Sequence, residues 1–239
     1  MTRLFCQDHP EILTLDAEVV RTRPGEVLVS QHPFYPGGGG QLPDRGLLRW
    51  QGGEARVTGF AEHGGSIWIE LAGQVEVTGS VQLAVEPGFR QLMRELHTDL
   101  HVLNALVFRD FDGALVTGVQ MNDDGSARID FDLPEADNDR LRALEAELND
   151  VIAQDLAVRT SDVSMTSAHA EAGLLRSRSV TPLPSSEGLI RVVEIVGLDR
   201  QACGGTHLAS TGASRPVCIL KVENKGRFNR RVRIGLQDR

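Results

Sequence analysis

The chain has 239 residues, enough for two ordinary domains or one large one. Hydrophobic residues make up 41% and charged residues 24%, globular values that set aside collagen, disorder and a disulfide-rich scaffold. No apolar run reaches the roughly 18 residues of a membrane span, and a net charge of −8 argues against a general nucleic-acid binder.

The opening stretch "MTRLFCQDHP" has no apolar run of signal-peptide length. Cys6, Cys203 and Cys218 form an odd set without framework spacing, which favours a reducing compartment. The expectation is a cytoplasmic protein, monomer or homodimer, with no membrane partner.

In chain order, the first 86 residues read as β. "LDAEVVRTRPGEVLVSQ" is two strands around Pro24-Gly25, and "GLLRWQGGEARVTGFAEHGGSIWIELAG" continues with turns at Gly52-Gly53 and Gly64-Gly65. "GSVQLAVEP" closes a series whose regular spacing suggests a small barrel. Pro87 then opens a helix in which Leu92, Met93, Leu96, Leu100, Leu103, Leu106 and Val107 recur at helical spacing. The expected division is therefore 1–86 for a glycine-rich β-barrel and 87–239 for an α+β domain.

Within that second domain, "ALVTGVQMNDDGSARIDFDL" predicts two strands joined by an Asn-Asp-Asp-Gly turn. A helix is expected after Pro134, with Leu141, Leu144, Leu148, Val151 and Ile152 on its buried face. Residues 157–166 read as a strand, "SAHAEAGLL" as a short helix, and "LIRVVEIVG" as a strand feeding directly into the loop "QACGGTHLAST". "CILKVENKGRFNRRVRIGL" predicts a terminal hairpin turning at Asn224-Lys225-Gly226. Two main helices against antiparallel strands make the class α+β.

Charge is uneven. Residues 215–239 hold eight Lys/Arg (Arg215, Lys221, Lys225, Arg227, Arg230, Arg231, Arg233, Arg239) against Glu223 and Asp238, which is +6 and leaves −14 elsewhere. A basic strip on an acidic protein suits a specific polyanion contact, and equally a solvated strand face.

"CGGTH" sets Cys203 and His207 four residues apart, and "HTDLH" does the same for His97 and His101 on the first helix. One helical turn is 3.6 residues, so both helical imidazoles project from one face. Zinc takes histidine nitrogen and cysteine sulfur, and the two pairs together contain one tetrahedral ligand set. Gly204 and Gly205 allow a loop tight enough for both its ligands to turn inward. Either pair alone is readily incidental; from the residues by themselves a metal site and a chance grouping stand level. The zinc-protease helix H-E-x-x-H is disfavoured, because Thr98 occupies the position of its general-base glutamate.

"FYPGGGGQLPDRG", residues 34–46, places four glycines where backbone must run close to something. It is not a phosphate-binding P-loop, since no Gly-Lys-Ser/Thr and no helix follow.

Taken together, these motifs resemble the editing domain of alanyl-tRNA synthetase and its free-standing AlaX-type relatives. "FYPGGGGQLPDRG", "HTDLH", "CGGTH" and "VENKGRFNRRVRI" are similar to family segments in order and approximate spacing, over nearly the whole chain. The retained N-terminal barrel is similar to the medium-length class. The resemblance implies an ATP-independent hydrolase that deacylates mischarged tRNA(Ala), chiefly Ser-tRNA(Ala) with Gly-tRNA(Ala) a further substrate. One Zn2+ per chain would be held by His97, His101, Cys203 and His207, either acidifying a water or orienting substrate. No synthetase catalytic domain is expected within the 239 residues.

The resemblance also points to Thr117 and Gln120 as pocket residues that would sense the serine hydroxyl. Asp130 would orient a ligand histidine. Both roles compete with plain turn, core or surface roles. For tRNA, Lys225, Arg227, Arg230 and Arg231 would meet acceptor-stem phosphates, and Gly38, Gly39, Gly40 and Gln41 would face the tRNA end. Two other functions stay open: a tRNA-binding module with a structural zinc, and a zinc hydrolase acting on a free small ester or amide.

Overall fold

A computed structural model describes residues 4–134, 137–178, 184–185 and 187–238. Arg239 of the basic strip lies outside the described residues. The chain divides into two compact units: residues up to Gly38 with Leu42–Gln91, and Gly39–Gln41 with the residues from Leu92 onward. Three residues of the glycine-rich segment thus belong to the second unit.

The first unit begins with one helical turn, α1 (Phe5–Asp8), which the sequence reading did not anticipate. Six strands follow: β1 (Thr14–Arg23), β2 (Glu26–Val29), β3 (Gly46–Trp50), β4 (Gly53–His63), β5 (Ser66–Leu71) and β6 (Ser80–Val85). They close a barrel in the order β1-β2-β5-β4-β3-β6, with β6 pairing back onto β1 from Thr14↔Ala84 to Glu18↔Ser80. The cause is the period-two pattern expected of half-buried strands: in β6, Val81, Leu83 and Val85 point inward while Ser80 and Gln82 face out. Val27, Leu48, Ile69 and Leu83 fill the interior with Phe34.

The segment flanking the glycines is held by a buried ion pair. Arg90 donates to both carboxylate oxygens of Asp44, and also to the carbonyls of Pro33 (2.7 Å) and Pro10 (3.0 Å). Asp44 in turn accepts from the Tyr35 backbone N–H at 2.6 Å. The guanidinium has several fixed donors, and here one side chain satisfies a carboxylate and two loop carbonyls at once.

The second unit is built around α2 (Pro87–Asp110), whose first residues, through Gln91, belong to the barrel unit. Every residue from Glu95 to Val107 is buried, so this helix runs through an interior rather than along a surface. A four-stranded antiparallel sheet, order β12-β13-β8-β7, comprises β7 (Val116–Met121), β8 (Ser126–Asp132), β12 (Val217–Lys225) and β13 (Asn229–Leu236). Helix α3 (Asn138–Ala153), capped by Asp137 accepting from the Asp139 N–H, lies on β12 with Leu141, Leu144, Leu148, Val151 and Ile152 buried. Asn149 of α3 bonds both the N–H (2.9 Å) and the C=O (2.8 Å) of Val217, satisfying backbone at the sheet edge. A second sheet, order β11-β10-β9, joins β9 (Val158–Ser164), β10 (Leu189–Ile195) and β11 (Asp199–Ala202); α4 (Met165–Ala170) follows β9.

The architecture is the α+β class with an N-terminal closed barrel. Three details differ from the sequence reading. β10 does not feed the Cys203 loop directly: it turns back into β11, and the loop leaves from β11. The terminal ladder extends to Lys225↔Asn229, which moves the turn to residues 226–228. α4 starts at Met165 because Ser164 caps it, accepting from the Ser167 N–H at 3.0 Å, and it stops at Ala170.

Candidate metal centre

On α2 the four-residue spacing sets the His97 and His101 rings 5.3 Å apart, centroid to centroid. The loop leaving β11 brings His207 against both, at 4.3 Å from the His97 ring and 4.6 Å from the His101 ring. Cys203 Sγ lies 3.3 Å from His97 Nε2 and 3.3 Å from His207 Nε2. One potential ligand atom from each of the four residues lies within 4.8 Å of all the others. Zinc bonds of 2.0–2.3 Å in a tetrahedron require ligand–ligand edges of about 3.3–3.6 Å. The separations of Cys203 Sγ from His97 Nε2 and His207 Nε2 match that requirement, and three imidazoles with one thiol are a borderline-soft donor set suited to such an ion.

All four side chains are at most 8% exposed. Burial, with added repulsion from His101 and Arg191, holds His97 well below the ordinary imidazole range. Burial does the same for His207, helped by His97, His101, Arg191 and Arg94, and brings His101 down to about 3. The rings are therefore neutral, the form in which imidazole ligates a metal. Burial pushes the Cys203 thiol up, opposed by Arg191 and by the Gly205 N–H.

A layer of polar residues contacts His97, His207 and the backbone of the Cys203 loop. Gln41 Oε1 lies 2.9 Å from His97 Nδ1 and accepts from the Thr206 N–H at 3.0 Å, while Gln41 Nε2 donates to Thr206 Oγ1 at 2.9 Å. Thr98 Oγ1 accepts from the Leu208 N–H at 3.1 Å and stands 3.4 Å from His207 Nδ1. Arg191 donates to the carbonyls of Cys203 (2.9 Å) and Gly205 (3.0 Å), and Arg94 donates to that of His207 (2.6 Å). The sequence reading assigned no role at the centre to Thr98, Arg191 or Thr206. The one available signal was Arg191, a charge within the apolar run "LIRVVEIV".

The other sequence candidates are placed as follows. Asp130 on β8 forms a bidentate pair with Arg231 (2.7 Å for each contact) and also meets Arg128 at 2.8 Å. Its oxygens are thus committed to arginines, and the group that bonds His97 is Gln41. Gln120 is exposed, donating to Asn122 and accepting from Arg128. Thr117 is half-buried and donates to Asn229 at 3.1 Å. Of the basic candidates, Arg231 is held by Asp130 and Arg230 is buried, whereas exposed Lys225 ends β12 and exposed Arg227 lies within the hairpin turn. Gly38 and Gly39 are exposed, but Gln41 is buried at 2% exposure.

A closed barrel and an α+β unit that buries a three-histidine, one-cysteine cluster define a protein with a side-chain grouping that could hold a metal ion. Residues 190–233, which carry the Cys203/His207 half of that centre, match the model of the threonyl and alanyl tRNA synthetase second additional domain. Over most of its length the chain is similar to the alanyl-tRNA editing protein AlaX-M of Saccharolobus solfataricus, 32% identical across 92% of this chain and 93% of the relative. The AlaX-M of Methanosarcina barkeri is 34% identical, with 89% of each chain covered. The alanine–tRNA ligase of Korarchaeum cryptofilum is 33% identical over 92% of this chain, which spans 24% of that ligase. The chain belongs to the AlaX-M family of alanyl-tRNA editing proteins.

Proposed function

We propose that this chain hydrolyses the ester linkage of mischarged tRNA(Ala), with Ser-tRNA(Ala) the chief substrate and Gly-tRNA(Ala) a second, and that it does so in the cytoplasm with one Zn2+ per chain. The observation that carries the reading is the His97/His101/Cys203/His207 cluster in a chain related along nine-tenths of its length to alanyl-tRNA editing proteins. When bound there, zinc supplies a Lewis acid that polarises an ester carbonyl or acidifies water. The chain's own residues contribute neutral imidazoles, buried where charge interactions are stronger than in water.

Discrimination against alanine requires a group that hydrogen-bonds the serine hydroxyl and goes unpaired with alanine. Half-buried Thr117, whose hydroxyl donates to Asn229 and can still accept, suits this role better than exposed Gln120, which is bonded to Asn122 and Arg128. For tRNA, the exposed hairpin tip with Lys225 and Arg227 provides phosphate contacts, and the exposed backbone at Gly38 and Gly39 offers amides to the tRNA end.

The test is deacylation of Ser-, Gly- and Ala-tRNA(Ala) with and without a chelator. Loss of Ser-tRNA(Ala) that ceases on chelation supports the proposal; no loss by metal-loaded protein overturns it. A second reading, a tRNA-binding module with a structural zinc, is favoured by one observation: all four donors are protein side chains and all are buried, as in closed structural sites.

A further inference from the structure

We infer that Gln41 is a positioning residue of the metal centre, whose side-chain carbonyl keeps the proton of His97 on Nδ1 and so leaves the Nε2 lone pair facing the cluster. This rests on reading the four residues as a metal centre. It gives the "GGGGQ" segment a task inside the second unit, in place of a nucleic-acid contact at Gln41.

The orientation of the amide follows from one partner that can act in only one way. The Thr206 backbone N–H can only donate, so the Gln41 atom 3.0 Å from it must be the oxygen. That same oxygen lies 2.9 Å from His97 Nδ1. Two acceptors would repel at that distance, so Nδ1 carries the hydrogen. A neutral imidazole has one N–H, which leaves Nε2 bare, and it is Nε2 that stands 3.3 Å from Cys203 Sγ. The amide nitrogen is satisfied by Thr206 Oγ1 at 2.9 Å, and a flipped carboxamide would set its NH2 donor against the Thr206 backbone N–H.

Two glycines in different motifs make room for this contact. Gly40 sits at φ +84°, its carbonyl accepting from the Met121 N–H at 2.8 Å, and a Cβ there would lie 2.6 Å from the Val119 carbonyl oxygen. A side chain at Gly40 would therefore push the segment off β7 and carry Gln41 with it. On the other side, a Cβ at Gly205 would lie 2.7 Å from Gln41 Oε1. The glycine-rich segment and the Cys-Gly-Gly-Thr-His loop thus meet at a single side chain, 56 residues from His97 and 165 from Thr206.

The test uses the full chain and its Gln41→Leu and Gln41→Glu variants. Long-range 1H–15N NMR on metal-free protein reads the His97 tautomer, and competition titration with Zn2+ and Co2+ reads affinity. In the wild type, His97 is expected as the Nδ1–H form. Gln41→Leu should lose that preference and weaken metal binding by about 10–100-fold, the usual effect of removing a partner that orients a ligand histidine. Gln41→Glu keeps the acceptor and should keep both the tautomer and the affinity, whereas a merely structural role would make the two variants fail alike. An Nε2–H tautomer in the wild type would overturn the inference, and that measurement requires no variant to fold. So would a well-folded Gln41→Leu that binds metal as tightly as wild type. Should wild type bind no metal, the metal-centre reading fails, while the tautomer comparison still decides what Gln41 does.

Discussion

Gly205 and His97 approach so closely that a Cβ on Gly205 would lie 2.1 Å from His97 Cε1 and 2.4 Å from its Nδ1. Neither distance is compatible with non-bonded atoms, and the ring is held from its other neighbours as well. Gly205→Ala therefore has to displace His97 or lift the loop. The expected result is a loss of Zn2+ affinity of at least about tenfold, with destabilisation of about 1–3 kcal/mol from overpacking. Metal titration beside urea unfolding measures both. An alanine variant with wild-type affinity would mean that the close approach is not needed for binding.

Cys203 separates a catalytic centre from a structural one. Cys203→Ala leaves three imidazoles and should weaken metal binding beyond the roughly 10–100-fold typical of losing an orienting partner. Under the editing proposal, deacylation of Ser-tRNA(Ala) falls with the metal while circular dichroism and unfolding midpoint stay near wild type. If the fold collapses together with the metal, the structural-zinc reading gains instead.

At the hairpin, the informative charges are Lys225 and Arg227. Arg230 is only 8% exposed and Arg231 is paired with Asp130, so reversing either would disturb the sheet before it disturbed a ligand. Lys225→Glu with Arg227→Glu should weaken tRNA binding and reduce the salt dependence of affinity by about one unit of slope per lost phosphate contact. Unchanged binding isotherms across a salt series would remove the hairpin from the interface.

His32, in the barrel unit, stacks on Phe60 with 5.9 Å between ring centroids. Burial lowers it from 6.5 to about 4, partly opposed by a backbone hydrogen bond at Phe34. The folded state thus holds the ring neutral where the unfolded chain protonates it. Its stabilising preference is complete above about pH 6.5 and is lost as pH falls towards 4, at a cost of order 3 kcal/mol at most. Denaturant unfolding of wild type and His32→Leu from pH 7.5 to 4 checks this. The variant should show the shallower acid dependence, and parallel curves would rule His32 out as its source.

Much of the architecture is legible because it is encoded over short distances. Val81, Leu83 and Val85 alternate with outward residues, and the Pro87 helix and the Leu141–Ile152 face recur at helical spacing. His97 with His101, and Cys203 with His207, are each readable as a pair because four residues span one turn of helix or one tight loop. The misplaced terminal turn and the missing β11 are also instructive. Cross-strand pairing such as Lys225↔Asn229 decides where a hairpin ends, and no local pattern carries that information.

What the sequence determined by itself was most of the elements, α1 and β11 excepted, with the two ligand pairs and the family signature, all properties of short windows and their order along the chain. Only the tertiary structure decided that the two pairs share one centre and that Gln41, not Asp130, bonds His97. It also decided that Arg231 spends its charge on Asp130, its neighbour across the β8–β13 ladder 101 residues away. The physical reason is common to all three: hydrogen bonds and ion pairs act over about 3 Å. Which polar groups come within that range across fifty or more residues is settled by strand register and helix packing, after the chain has folded.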